Sequence, residues 1–584
     1  MNKKDFTIVI LLALLIPAWM FIDRTFVAPR YAQPLPAPTP AAESTTPVAP
    51  TSTPATPAAI STAPGPIPVQ NQPDQKTLPA EETLTLRNDQ LQLTLSSRSG
   101  GITAVTLFSY NAENSTDSQP VTFTFADQPA LSYQGITGLE KNDTFQLRKT
   151  KPHQATIIKR LPSGIQFERT LSIQDNYKIE FTDRFINQAD QALLLPAHRI
   201  QTGYIANPVG TDSMQGLHIL GVDSYTPAGG INYWGRKLNK LFKQNGKPAQ
   251  LNTVPEPMRL EVVDWVSAKN KFFTQILRPH EPLATMALLA NRDINEKGIM
   301  PTSIAAALQF PSTAIDQQNE FNLTYTFFIG PKQFDLLKQA GNNMEKVMEF
   351  ETIGFWSFTN ILMEPSRKAL LSGMNFFNRT LPGGYGIAII LLTLLIRILF
   401  WPLTHKSTES MKRMQEVQPE LKALQEKYKK DPPRMQQETM KLYKEKKVNP
   451  MGGCLPMFIQ IPVFFALFTV LRNAIELRFS SFLWIRDLSA SENLFAGQIP
   501  FVGALNILPI IMSLSMIWQQ KLSSPGAAMT PEQQQQQKIM MFMMPVMMLF
   551  FFYSMPSGLV LYWTVSNLLM IAQIGIRNLR KKTA

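Results

Sequence analysis

The sequence is poor in the residues that usually carry chemistry. Its 584 residues include one cysteine, Cys454, which excludes an intrachain disulfide and a cysteine-built metal cluster. The five histidines are scattered, with no HExxH or similar ligand spacing. No GxxxxGKS or GxxxxGKT run occurs, so no phosphate-cradling loop of that kind is encoded. Internal repeats and paired interrupted helices, the marks of many solute transporters, are also missing. Neither a cofactor nor a metal is expected, and the chain does not read as an enzyme. Charged residues make up only 17%. Within the long apolar runs there is no carboxylate to bind a coupling cation and no chain of ionisable groups such as a proton pump needs.

What is present is strongly segregated. Apolar runs occupy the N-terminus and the last third, while the middle has the composition of a soluble domain. The net charge of +13 sits in short Lys/Arg segments flanking apolar helices. That placement fits membrane topology and anionic lipid headgroups better than a specific nucleic acid.

Residues 1–27 combine a basic start with the apolar run Phe6–Ile22 and offer no small-residue cleavage site. They read as an uncleaved signal-anchor helix with its N-terminus in the cytoplasm. Residues 28–80 are rich in Pro, Ala, Thr and Ser and cannot bury a core, so they form an extended tether. Residues 81–350 then alternate apolar and polar positions. TLTLRNDQLQLTLSS turns at Gly100-Gly101 into ITAVTLFSY, and similar runs begin near 121, 155, 164, 177 and 321. A large antiparallel β-sandwich outside the cytoplasm is the predicted architecture, closed by a helix over Lys332–Phe350. Among its polar residues His198, Asp212 and Asp264 show no spacing that specifies catalysis.

Residues 351–381 mix aromatic, aliphatic and basic residues, with positions 370, 371, 374 and 377 on one helical face. An interfacial amphipathic helix is the favoured reading, and a helix buried against the sandwich is the alternative. Five spans follow, at 382–403, 455–474, 499–518, 539–555 and 556–576. Residues 404–454 form a basic cytoplasmic segment. In it Met411, Met414, Val417, Leu421, Leu424 and Tyr428 follow a three-four seam, and Asp431-Pro432-Pro433 breaks the helix. An antiparallel helical hairpin results, and Pro419 predicts a kink or a local restart in its first arm. The loop 475–498 lies outside, where Glu476 can pair with Arg472 on a surface turn. The loop 519–538 and the basic tail 577–584 lie inside, so both termini are cytoplasmic. The predicted fold is thus a multi-pass α-helical membrane protein, one anchor plus a five-helix core, carrying a large periplasmic antiparallel β-sandwich.

Away from the span ends one charge stands inside these runs: Arg397, in GGYGIAIILLTLLIRILFWPL, with Thr393 one turn earlier. It either snorkels toward nearby headgroups or faces a protein interior. Neutral polar residues in the other spans include Gln460, Asn506, Ser513, Ser515, Thr564, Ser566 and Asn567. Such residues often only join helices by hydrogen bonds. The methionine-rich span KIMMFMMPVMMLFFFYSM, with Met544 and Met547, suits either varied apolar partners or lipid.

Three blocks carry a family likeness: VNPMGGCLPMFIQIPVFFALF (448–468), FLWIRDLS (482–489) and PSGLVLYWTVSNLLMIAQ (556–573). They closely resemble the YidC-type membrane protein insertases of Gram-negative bacteria, and IRILFWPLTHKS puts Arg397 where that family has its groove arginine. The resemblance implies a hydrophilic groove open to cytoplasm and lipid, lined by Arg397, Thr393, Gln460, Asn506, Ser513 and Asn567. It implies a substrate slide at Tyr562 and Trp563, which Met544 and Met547 would extend. Trp563 departs from the tyrosine common there but keeps an aromatic ring. The hairpin, through Met411, Met414, Leu421, Leu424 and Tyr428, would recruit substrate. Nascent membrane proteins, the Sec translocon, the ribosome at the cytoplasmic loops, and anionic lipids are the partners implied. The chaperone and insertase would sit in the bacterial inner membrane.

Overall fold

The computed structural model describes residues 81–583 except 126–127, 141–142, 207–219, 235–242, 245–246, 249–261, 282–283, 292–301, 351–359, 429–430, 447, 449–454, 497–503 and 524–530. The expected signal anchor and tether, and Asp212, lie outside the described residues.

Alternating sequence becomes alternating burial. In the strands Gln166–Ile173 and Lys178–Ile186 every second side chain is buried, so one face packs and the other meets solvent. They lie within a nine-stranded sheet whose spatial order is Gly230–Tyr233, Gly221–Thr226, Trp265–Lys269, Phe273–Pro279, Glu320–Pro331, Lys178–Ile186, Gln166–Ile173, Gln154–Arg160 and Gln146–Lys151. Every paired strand in it is antiparallel. Trp265–Lys269 is buried at every position, because other sheet and loop segments cover both faces. A second, four-stranded sheet contains the expected hairpin, Leu91–Ser96 paired with Ile102–Asn111. Its turn needs Gly100, at φ +56°, where a Cβ would strike the Phe145 ring. A third sheet is built around Ser303–Phe310. The periplasmic part is therefore an antiparallel β domain.

The closing segment is shorter than its composition predicts. Helix α1 is Phe334–Ala340, and Met344–Met348 is a separate 3₁₀ turn. Gly341, Asn342 and Asn343 all take positive φ and break the helix between them.

The helical part contains α2 (Asn360–Thr380), α3 (Gly384–Leu399), α4 (Trp401–Lys427), α5 (Pro432–Glu445), α6 (Leu455–Asn473), α7 (Ile507–Ser523), α8 (Pro531–Phe552) and α9 (Ser557–Thr583). Among the described residues Ser557–Ile576 is by itself long and apolar enough to cross a bilayer. Gly384–Leu399 passes the same test only with Trp401–Ser407, across a bend of 56°. Ile461–Asn473 and Met541–Phe552 are shorter apolar helices.

Four details differ from expectation. The segment 382–403 is broken at Phe400 rather than straight. Helix α7 begins at Ile507, not 499, because Leu505 pairs in extended conformation with Leu494 (2.8 and 2.9 Å). The Glu492 carboxylate also accepts from the Leu508 N–H at 2.9 Å, which ends the helix there. Helix α4 runs through Pro419 without a break. Glu476 forms no surface pair with Arg472: both carboxylate oxygens are buried and lack a hydrogen-bond partner among the described residues.

Candidate functional site

The site grows out of helix α3. Its buried stripe, Gly386, Ile389, Thr393 and Ile396, recurs at three- and four-residue steps and faces the other helices. Leu394, Leu395, Ile398 and Leu399 point outward, Leu399 being 69% exposed, as lipid-facing side chains would. Gly383, at φ +112°, starts the helix where an L-residue would be strained. At Gly386 the Phe482 ring occupies the place a Cβ would need, so the outer loop sits directly on α3.

Arg397 lies half-buried in the last turn of α3 and reaches across to α9. Its Nη2 donates to the Ser566 carbonyl at 2.8 Å and to Ser566 Oγ at 2.7 Å. Its Nη1 approaches Met570 Sδ at 4.0 Å. One residue along α9, Asn567 Nδ2 donates to Ser515 Oγ on α7 at 3.1 Å. Helix α9 thus joins α3 on one side to α7 on the other through neutral polar groups. Ser513 Oγ is buried without a hydrogen-bond partner among the described residues.

The remaining predicted residues are not all gathered at Arg397. Thr393 is buried, and its hydroxyl donates to Ile389 O within its own helix at 2.6 Å. Asn506 lies at the outer start of α7, where Oδ1 accepts from Asn493 N and Nδ2 donates to Tyr553 O, both at 2.7 Å. Tyr562 is 2% exposed and faces the helix core. The Trp563 ring lies 5.1 Å from Phe464 and 5.2 Å from Phe552, in an aromatic cluster between α6, α8 and α9. On α8 Met544 is half-buried and Met547 exposed. The side chains of Gln460 and Met411 lie outside the described residues. Ser566 and Met570 were not selected from sequence. A serine in an apolar span carries no signal of its partner 169 positions away.

Toward the outside the bundle is covered. The loop after α6 is tied to the start of α9 by Gly558 N to Leu488 O (2.9 Å) and Ser557 N to Ala490 O (2.8 Å). The β domain bonds the same loop: Lys271 Nζ donates to Ser489 O at 2.8 Å, and Arg478 donates to Asn111 O and Ala112 O at 2.7 and 3.0 Å. Burial pushes the Glu476 carboxyl up to about 6 at this junction, with Asp335 adding repulsion and Asn375 and Arg379 opposing it. At the other end α4 and α5 pack through Val417, Leu421 and Leu442, joined by Val448 just after α5, with Met414 and Leu424 against them. Tyr428 lies under Lys427 and Arg434. A charge held among neutral acceptors, covered outside and edged by apolar side chains, can attract an anionic group.

Residues 83–364 match the family model described as the YidC periplasmic domain, and residues 376–583 match that of the 60Kd inner membrane protein. The membrane protein insertase YidC of Syntrophus aciditrophicus is 33% identical over 463 residues, covering 79% of this chain and 73% of that protein. The chain belongs to the YidC family of membrane protein insertases. The YidC insertase of Geobacter sulfurreducens is 32% identical, covering 82% of this chain and 83% of that protein. A crystal structure of an active YidC insertase with its first transmembrane domain resolved aligns over 85% of this chain and 92% of its own, at 18% identity and a TM-score of 0.33. Family membership makes the β domain the periplasmic domain of a YidC protein and assigns the chain to the inner membrane.

Proposed function

We propose that this chain inserts client membrane proteins by drawing a client's acidic outer segment toward Arg397 while the client's apolar helix passes sideways into lipid. The observation that carries the reading is the pairing of Arg397, among the described residues, with neutral acceptors alone, Ser566 and Met570, in helices that contain no carboxylate along 384–403 or 557–583. A half-buried cation so held retains attraction for an anion, and that attraction offsets the cost of taking a client carboxylate out of water. Burial of the client's apolar helix in lipid, at about 25 cal/mol per Å², drives release. No nucleotide hydrolysis by this chain is required.

In this reading the segments around α3, α6, α7, α8 and α9 are the five spans of the core. The first 27 residues anchor the chain, and both termini are cytoplasmic. Thr393, Gln460, Ser513 and Asn567 line the groove, with Asn506 at its outer margin. Trp563, Met544 and Met547 guide the departing helix, backed by Tyr562. The α4–α5 hairpin receives nascent chains, at the ribosome or beside the Sec translocon, and flanking lysines and arginines hold anionic lipids.

Arg397→Ala in vesicles is expected to slow insertion of a client with an acidic outer segment about tenfold, the loss of roughly 1.4 kcal/mol. A matched client with a neutral segment is expected to be affected far less. Equal insertion of the acidic client by both proteins would remove the groove role.

A further inference from the structure

Arg397 has five N–H groups and uses few of them. Nη2 spends its reach on Ser566 O and Oγ, and Nη1 meets only a thioether sulfur at 4.0 Å. The remaining N–H groups of the fork make no hydrogen bond to the described residues. Ser566 itself is buried, and both of its acceptors face the same guanidinium nitrogen. The hydroxyl is therefore not spent on its own helix, as those of Thr564 and Thr393 are. A serine in this place sets the height and rotation of the guanidinium against α9, and leaves the rest of the fork open.

We propose that Ser566 is a positioning residue. It holds Arg397 against α9 while no client is present and yields the guanidinium to a client carboxylate. This rests on the groove reading above and adds the partner from which the arginine is exchanged. The exchange is chemically ordered. A carboxylate offers two charged acceptors in the geometry of the guanidinium fork, whereas Ser566 offers a neutral carbonyl and a hydroxyl. The Arg397–Ser566 bonds already have a charged donor; a carboxylate adds a charged acceptor and a second parallel bond across the fork, so the client's acid prevails and a neutral segment does not. Ser566 thereby sets the charge threshold at which a segment is accepted.

The test uses the full-length protein in vesicles and one client in two forms, its outer segment bearing aspartates or the matching asparagines. Ser566→Asp puts a permanent carboxylate where Oγ now accepts. It is expected to lower insertion of the acidic client about tenfold, with a loss for the neutral client no greater than that caused by the isosteric Ser566→Asn. In the Arg397→Ala background Ser566→Asp is expected to cause no further charge-selective loss. Ser566→Ala removes one competing acceptor without adding charge, and is expected to raise the ratio of acidic to neutral insertion about threefold. That variant decides the matter if Ser566→Asp fails to fold. Equal losses for both clients in Ser566→Asp, the same charge-selective loss in Ser566→Asn, or an unchanged or lowered ratio in Ser566→Ala would each overturn the proposal. If Arg397→Ala does not itself distinguish the two clients, the groove reading falls. If it does and Ser566→Asp does not, only the role of Ser566 falls.

Discussion

Arg169 and Lys269 in the periplasmic domain and Arg397 in the helical core are held in opposite ways. In the β domain Arg169 (2% exposed) meets Asp183 (0%) through paired bonds of 2.7 Å, and Tyr133 donates to the same carboxylate at 2.7 Å. Lys269 is likewise placed between Asp223 at 2.6 Å and Glu349 at 3.0 Å. In the core Arg397 is given a serine and a methionine. The first arrangement uses up the charge; the second keeps it available. Taking a cation out of water costs several kcal/mol; under the proposed function the anion that offsets this cost at Arg397 is the client's.

This contrast is open to direct attack. The largest effect is expected for Asp183→Ala, which strands Arg169 in the sandwich core. About 3–5 kcal/mol of domain stability should be lost, read by denaturant unfolding of the purified protein. Arg397→Met, which removes a cation that has no carboxylate partner among the described residues, should by the same measurement leave the core as stable or slightly more so. If the two substitutions destabilise equally, the charges are buried alike and the distinction fails.

A smaller effect is expected at the junction. The folded-state pKa of Glu476, about 6, lies above its ordinary value of 4.5, because burial disfavours the anion. The folded state therefore binds the proton more tightly. The penalty is present above pH 6, and stability rises as pH falls from 6 toward 4.5. The gain is about 2 kcal/mol. Thermal unfolding at pH 5 and pH 8 should show the difference, and Glu476→Gln should abolish it. The smallest effect belongs to the exposed pair Lys446–Glu420 between α5 and α4. Lys446→Ala should change stability by no more than about 0.5 kcal/mol, a useful reference for what a solvated ion pair contributes in this chain.

The physics that made parts of the chain legible also explains what was not. Period-two alternation marked Gln166–Ile173, Lys178–Ile186 and the Gly100 hairpin, because a half-buried strand leaves that imprint directly. Arg397 stood out because a cation in an apolar run is costly wherever it lies. The seam of Leu421 and Val417 was visible for the same reason as the strands, since its helices bury one stripe. Features set by distant contacts left no imprint. The apolar run from Ile499 to Asn506 looks like the start of a span, yet the Leu505–Leu494 bridge and the Glu492 cap place the helix start at Ile507. Glu476 beside Arg472 suggests a surface pair, but α2 and the β domain close over it. Ser566 looks like one more small polar residue until α3 is laid against it.

The bend at Phe400 has a mechanical side. Helix α4 has 27 residues, about 40 Å at 1.5 Å per residue, and it leaves α3 at 56° only three residues beyond Arg397. With such an arm, a rotation of about 10° at the elbow carries the far end of the hairpin through roughly 7 Å, while Arg397 scarcely moves. If the hairpin receives clients as proposed, a wide sweep of its tip would be geared down to a near-stationary charge at the pivot.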